Sequence, residues 1–290
     1  MVPYFDSAAM VPPRMRRYVR TRDDRIRQYG AVHESEGEKL GLIDSRTESH
    51  RLMRTGYGQG QVYRTTVLAK LVGLAVVKFS TLDPGGMGIE MEAGKPGWYD
   101  ALNGLPGLFG SSMCETYELH RLLTFLTNAM AARPEAEVVL PMEQVRLFEQ
   151  VQDVLSDWGS STDADRDYVC WDRMSAARED YREATRLGIA GETRAYACGD
   201  LHPILSEFQG KVALGIERSK VLSPGVPPTY FSYRAIDAED VLDANGQTER
   251  DDQGRAYVRV RDFEPIPVPL FLDVPVHALK VQPVVAAARS

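Results

Sequence analysis

Apolar residues recur at helical spacing through most of the chain between residues 65 and 222. The clearest case runs from about Glu115 to Ala132, where leucines return every three or four residues and Pro134 lies just past the end. The same reasoning predicts further helices over about 65–80, 141–158, 164–187 and 200–222. Successive helices joined by short loops favour antiparallel helical hairpins, so the pattern predicts a mainly α fold. A short additional helix is predicted around residues 14–28.

The chain changes character near its C-terminal end. Residues 229–236 and 255–263 are rich in aromatic and β-branched side chains, and turn signals such as Asn245-Gly246 lie between them. Prolines then follow at alternate positions from Pro265, which enforces extended chain that does not suit a central strand. This pattern predicts a small β-rich segment after the helices.

Two domains are predicted from these patterns. Residues 1–225 would form a helical body that carries a glycine-rich segment, 83–113, and residues 226–290 would form the β-rich C-terminal segment.

Composition excludes several function classes. The net charge of −7 argues against an extended nucleic-acid interface. The three cysteines are widely spaced and form no CxxC motif, so we expect reduced thiols, no structural metal site and a cytoplasmic protein. The most apolar run, Val67 to Phe79, is too short to span a bilayer and contains two lysines, so we expect no membrane association.

The segment from Met87 to Met113 carries the strongest functional signal. It places acidic residues beside Trp98 and Tyr99 on a backbone dense in glycine. An aromatic ring can stack on a sugar, and a carboxyl group can exchange the proton that glycosidic cleavage needs. Asp100, if buried beside these rings, would have a raised pKa, as a general acid requires. The alternative is structural: Asp100 caps a short helix and Trp98 packs in the core.

The segment GKPGWYDALNGLPGLFGSSM, from Gly94 to Met113, resembles the catalytic region of cellobiose-phosphorylase-like proteins, which are built on an (α/α)6 toroid. The resemblance runs from about Thr81 to Leu126, and the proline-rich stretch near the C-terminus is similar to such proteins as well. It implies a partial (α/α)6-type helical toroid with a small β-rich C-terminal segment. By this resemblance Asp100 is the general acid that protonates the glycosidic oxygen.

The implied substrate is a β-linked oligosaccharide, cleaved by phosphorolysis with inorganic phosphate as co-substrate and with no other cofactor. An inverting hydrolase and a non-catalytic carbohydrate-binding or scaffold fragment remain the alternatives. Family members are much longer, so the chain reads as part of a larger enzyme, with missing flanking domains or self-association as consequences. The candidate sugar-binding residues are Trp98, Tyr99, Glu90, Glu92, Lys95 and Asn103.

Only one cluster suggests a phosphate site. His50, Arg51 and Arg54 lie close to three glycines, so a flexible basic loop there is a candidate for binding an anion. An ordinary surface loop is the alternative. Surface exposure is likewise the alternative for Glu90, Glu92 and Lys95.

Overall fold

The computed structural model describes residues 1–29, 33–34, 37–91, 110–223, 228–268 and 273–281. The predicted mainly α fold, a partial toroid, is wrong. The structure is 45% helix and 24% strand and contains a curled six-stranded antiparallel sheet beside its helices. The fold is therefore of mixed α and β type.

The described residues contain seven α-helices, and none is long and apolar enough to cross a membrane. They are α1 (Glu38–Asp44), α2 (Val67–Phe79), α3 (Met113–Ala132), α4 (Met142–Ser160), α5 (Arg166–Ala184), α6 (Cys198–Val221) and α7 (Asp273–Val281). The strands are β1 (Val2–Pro3), β2 (Ala9–Met10), β3 (Tyr18–Arg20), β4 (Ile26–Gln28), β5 (His33–Glu34), β6 (Arg64–Thr65), β7 (Ile89–Met91), β8 (Gly110–Ser112), β9 (Glu137–Pro141), β10 (Thr193–Ala197), β11 (Tyr230–Asp240) and β12 (Ala256–Pro267).

The five long predicted helices are confirmed as α2 to α6. The helix predicted around 14–28 is wrong, because this stretch forms a short 3-10 turn, Arg14–Arg16, followed by β3 and β4. Tyr18 and Val19 lie between Arg17 and Arg20, and their side chains are buried, with only 3% and 4% of their surface exposed. Strand pairing rather than a helical face therefore buries the apolar residues of this segment.

The six-stranded sheet has the order β4-β3-β12-β11-β8-β7. The long hairpin β11–β12 forms its centre, as the two β-like stretches predict, and short strands from the N-terminal part of the chain extend it on both sides. Strands from both sides of residue 226 therefore share one hydrogen-bonded sheet. Pro265 and Pro267 pair with β11 where β12 has no described strand on its other side, so their missing N–H groups leave no ladder bond unmade.

The helices are joined by a second, two-stranded ribbon. β9 lies between α3 and α4, β10 lies between α5 and α6, and the two strands pair antiparallel. As a result α3 packs on α6 and α4 packs on α5. Phe79 of α2 and Phe208 of α6 meet in the core with ring centroids 4.1 Å apart, and both side chains are fully buried.

Helix α6 also packs against the turn that precedes β7. A Cβ atom added at Gly215 would lie 2.3 Å from the carbonyl oxygen of Gly86, whereas one added at Gly210 would meet nothing within 4 Å. The backbone of the turn therefore lies directly on α6, and only a residue without a side chain permits this approach at position 215.

We predict opposite effects for two alanine substitutions on α6. Gly210→Ala should raise the free energy of unfolding by about 0.5–1 kcal/mol, because alanine loses less backbone entropy in a helix. Gly215→Ala should lower it by about 1–3 kcal/mol, because its methyl group collides with the turn. Urea unfolding followed by circular dichroism measures both. Equal stabilisation by the two variants would contradict the close packing of α6 on this turn.

Candidate functional site

The glycine-rich segment begins and ends in the six-stranded sheet. Met91, at the end of β7, pairs with Gly110, at the start of β8, so residues 92–109 connect two neighbouring positions of a hydrogen-bonded ladder. β8 is held in turn by β11. Six of the predicted site residues lie outside the described residues: Glu92, Lys95, Trp98, Tyr99, Asp100 and Asn103.

Glu90 lies on β7, inside the glycine-rich segment and just before residues 92–109, and is buried in an ion cluster. Its Oε1 accepts a hydrogen bond from Nη1 of Arg17 at 2.6 Å, and its Oε2 accepts one from Nη2 of Arg178 at 3.1 Å. The three side chains are no more than 2% exposed. Arg17 comes from the N-terminal segment and Arg178 from α5, so this cluster joins three distant parts of the chain.

The ion cluster also sets the protonation state of Glu90. Burial alone would raise the pKa of Glu90, but the positive charges of Arg17 and Arg178 outweigh it, and the pKa is lowered from its ordinary value of 4.5. A carboxylate with a lowered pKa is a weak proton acceptor. Glu90 is thus placed to position the start of the segment rather than to act as a base.

Asp83 is a second buried carboxyl group and organises the turn before β7. Its Oδ1 accepts from the backbone N–H of Met87 at 2.9 Å, and its Oδ2 accepts from that of Gly88 at 2.7 Å. Burial raises the pKa of Asp83, although these N–H groups and the hydroxyls of Tyr233 and Ser111 act in the opposite direction. The sequence indicates only that a helix ends at this position.

Two helices hold the outer side of the same turn. Arg218 of α6 donates from Nη1 to the carbonyl oxygen of Gly85 and to Oδ2 of Asp167, both at 2.6 Å. Asp167 of α5 also accepts from Nζ of Lys211 at 2.6 Å and from the indole of Trp158 at 2.8 Å. The turn is therefore fixed from both sides, and β7 leaves it in a defined direction.

The predicted phosphate cluster lies on the surface. His50 and Arg51 are exposed, and Arg54 donates to the backbone carbonyl oxygens of Gly60 at 3.1 Å and Glu48 at 3.0 Å. These two hydrogen bonds stabilise the loop. They also occupy N–H groups of the Arg54 guanidinium that an anion would need. Anion binding by this cluster remains a prediction.

A cavity of about 510 Å³ lies between the N-terminal segment and the end of α5. It is lined by residues 5–11, by residues between 179 and 186, and by Lys39. Arg182 lines this cavity and its charge also lowers the pKa of Glu90. The cavity is therefore a close neighbour of the ion cluster at the start of the glycine-rich segment.

Sequence reasoning did not find this cavity. Its walls come from residues about 170 positions apart, and none of them belongs to a motif. One signal was available: α5 carries charged residues on several faces, including Glu179, Asp180 and Arg182. In the described parts of the chain, no group of three or more His, Cys, Asp or Glu side chains is arranged to hold a metal ion.

Comparison with models of known protein families and comparison with curated proteins each find no match to this chain. Arguments about its function therefore depend on the residues themselves.

We predict that Glu90→Gln lowers the free energy of unfolding by about 3–5 kcal/mol at pH 7, because it removes a buried negative charge that two buried arginines contact. The lowered pKa makes this difference depend on pH. Stabilisation by Glu90 is fully present above about pH 4.5 and is lost as the pH falls through the lower pKa of the folded state. Urea unfolding of both proteins from pH 7 to pH 3 measures the difference.

Glu149→Gln is the matched control, because Glu149 pairs with Arg194 at the surface and is 49% exposed. We expect it to change stability by no more than about 1 kcal/mol. A loss for Glu90→Gln that stays constant down to pH 3 would contradict the charge-based explanation.

Proposed function

We propose that this protein is a carbohydrate-active enzyme that cleaves a β-glycosidic bond in an oligosaccharide by phosphorolysis, with Asp100 as the general acid. Trp98 and Tyr99 would form the platform on which the sugar stacks, with Glu92, Lys95 and Asn103 as further sugar contacts. The proposal keeps the functional part of the sequence resemblance and does not depend on the toroidal fold.

The observation that carries this proposal is the anchoring of the glycine-rich segment. Its two ends are paired across β7 and β8, and its first strand is tied to α5 and to the N-terminal segment through Glu90. Catalytic groups are commonly carried by loops that a rigid scaffold positions. The pairing of Met91 with Gly110, the two residues that flank 92–109, supports a functional role for Asp100.

Neither Glu90 nor Asp83 is placed to supply the base that hydrolysis would need. An inverting hydrolase needs a second carboxylate that activates water. Glu90 is engaged by two arginines, and both oxygens of Asp83 accept backbone hydrogen bonds in a fully buried position. Neither of these two described carboxyl groups of the segment is available as a base, and attack by phosphate does not require one.

The proposed reaction transfers a glycosyl group from the glycosidic oxygen to phosphate. Asp100 donates its proton to the glycosidic oxygen as the bond to the anomeric carbon breaks, and a phosphate oxygen attacks that carbon from the opposite face. The products are a sugar 1-phosphate of inverted configuration and a shortened oligosaccharide with a free hydroxyl, and Asp100 regains a proton from solvent. A cytoplasmic location, where phosphate is abundant, and self-association or additional domains are part of the same proposal.

The test is turnover of cellobiose and cellotriose with and without inorganic phosphate. We expect phosphate-dependent release of glucose 1-phosphate, and a loss of at least about 100-fold in the rate for Asp100→Asn, because the amide cannot donate the proton. Asp153→Asn, at an exposed position on α4, is the control and should keep full activity.

Release of glucose without phosphate would replace phosphorolysis by hydrolysis. Binding of the sugar without turnover, unaffected by Asp100→Asn, would favour the non-catalytic carbohydrate-binding alternative and overturn the proposed enzyme.

A further inference from the structure

The cavity beside α5 has rigid walls. Glu179 holds the N-terminal segment on α5, since its two oxygens accept from the backbone N–H and from Nη1 of Arg14 at 2.6 and 2.7 Å. At the base, Asp6 binds Nζ of Lys39 at 2.5 Å and Nη1 of Arg46 at 2.8 Å, all with side chains no more than 4% exposed. The volume of about 510 Å³ lies within the range of small-molecule sites.

The charges of the lining are nearly balanced. Its carboxylates are Asp6, Glu179, Asp180 and Glu183, and its cations are Lys39, Arg182 and Arg186. Several of these charges are already neutralised by ion pairs, such as Asp6 with Lys39 and Arg186 with Glu38. A strongly anionic or cationic ligand would gain little from such a lining. Many hydrogen-bonding groups with little net charge suit an uncharged polyhydroxylated ligand.

Phe5 adds an aromatic surface at the edge of this cavity. Its side chain is 73% exposed although its backbone is fixed by a bridge to Leu52 and by the neighbouring bond from the N–H of Asp6 to the carbonyl oxygen of Arg51. An exposed ring on a fixed backbone can stack on the apolar face of a sugar at little entropic cost.

Asp180 of α5 adds a hydrogen-bond acceptor to the lining. It is exposed on α5 and forms no ion pair with any residue that the structure describes. A carboxylate in this position can accept hydrogen bonds from two neighbouring sugar hydroxyls.

From these observations we infer that the cavity is an oligosaccharide subsite, which binds an uncharged sugar unit between the ring of Phe5 and the carboxylate of Asp180. The inference takes its substrate class from the proposed function and extends it to a second part of the molecule. The shared Arg182, which lines the cavity and acts on Glu90, makes this subsite a neighbour of the glycine-rich segment.

The test measures the dissociation constant of cellotriose by isothermal titration calorimetry in the full-length Asp100→Asn variant, in which no turnover is expected. In that background we expect Phe5→Ala to weaken binding about fivefold and Phe5→Trp to retain it, because the larger ring still stacks. Asp180→Asn should weaken binding about tenfold, because hydrogen bonds to a charged acceptor are the stronger ones.

Two matched variants serve as controls. Phe125→Ala removes an exposed ring on α3, 56% exposed, and Asp153→Asn neutralises an exposed acid on α4; neither residue lines the cavity. Both should bind cellotriose within about twofold of the parent protein. Far-UV circular dichroism checks that all five variants are folded.

Unchanged affinity in Phe5→Ala and Asp180→Asn overturns the subsite, even if phosphorolysis is found and the proposed function stands. If cellotriose binding depends on Phe5 and Asp180 but the wild-type protein shows no turnover, the subsite is supported and the proposed enzymatic activity is refuted. Absence of cellotriose binding, or tighter binding of glucose 6-phosphate than of cellobiose, also overturns the inference.

Discussion

The ion cluster of Glu90, Arg17 and Arg178 is the interaction on which the rest of the site depends. Buried charges are tolerated only when they are paired, so these three residues, far apart in the chain, have to meet in the folded protein. Their meeting brings the N-terminal segment, strand β7 and helix α5 to one place. It thereby fixes the strand from which residues 92–109 leave the sheet.

The turn before β7 is also fixed by contacts from several parts of the chain. Asp83 binds it from within, Arg218 binds it from α6, and Gly215 lets α6 approach its backbone. Such a turn has little freedom to change shape, so β7 is presented rigidly. The turn and β7 thus give the glycine-rich segment a fixed starting point, and rigid elements are the usual supports of catalytic groups.

The long helices and the C-terminal hairpin were largely predictable, and the short strands that extend the hairpin into a six-stranded sheet were not. The helix predicted over 65–80 is observed as Val67–Phe79, because long apolar periodicities report directly on burial. Strands β3, β7 and β8 have three residues each, too few to show an alternating pattern. Amphipathic helices show the same spacing of apolar residues in a toroid as in a mixed α and β fold. The helical pattern therefore could not exclude the toroid.

The sequence by itself determined the long helices, the C-terminal hairpin and the chemical character of the glycine-rich segment, because each of these is encoded by neighbouring residues. Tertiary structure alone decided that Glu90 is neutralised by two arginines and that Phe5 and Asp180 face one cavity. The physical reason is that pairing of buried charges and closure of a cavity depend on which distant segments pack together, and local periodicity contains no information about that choice.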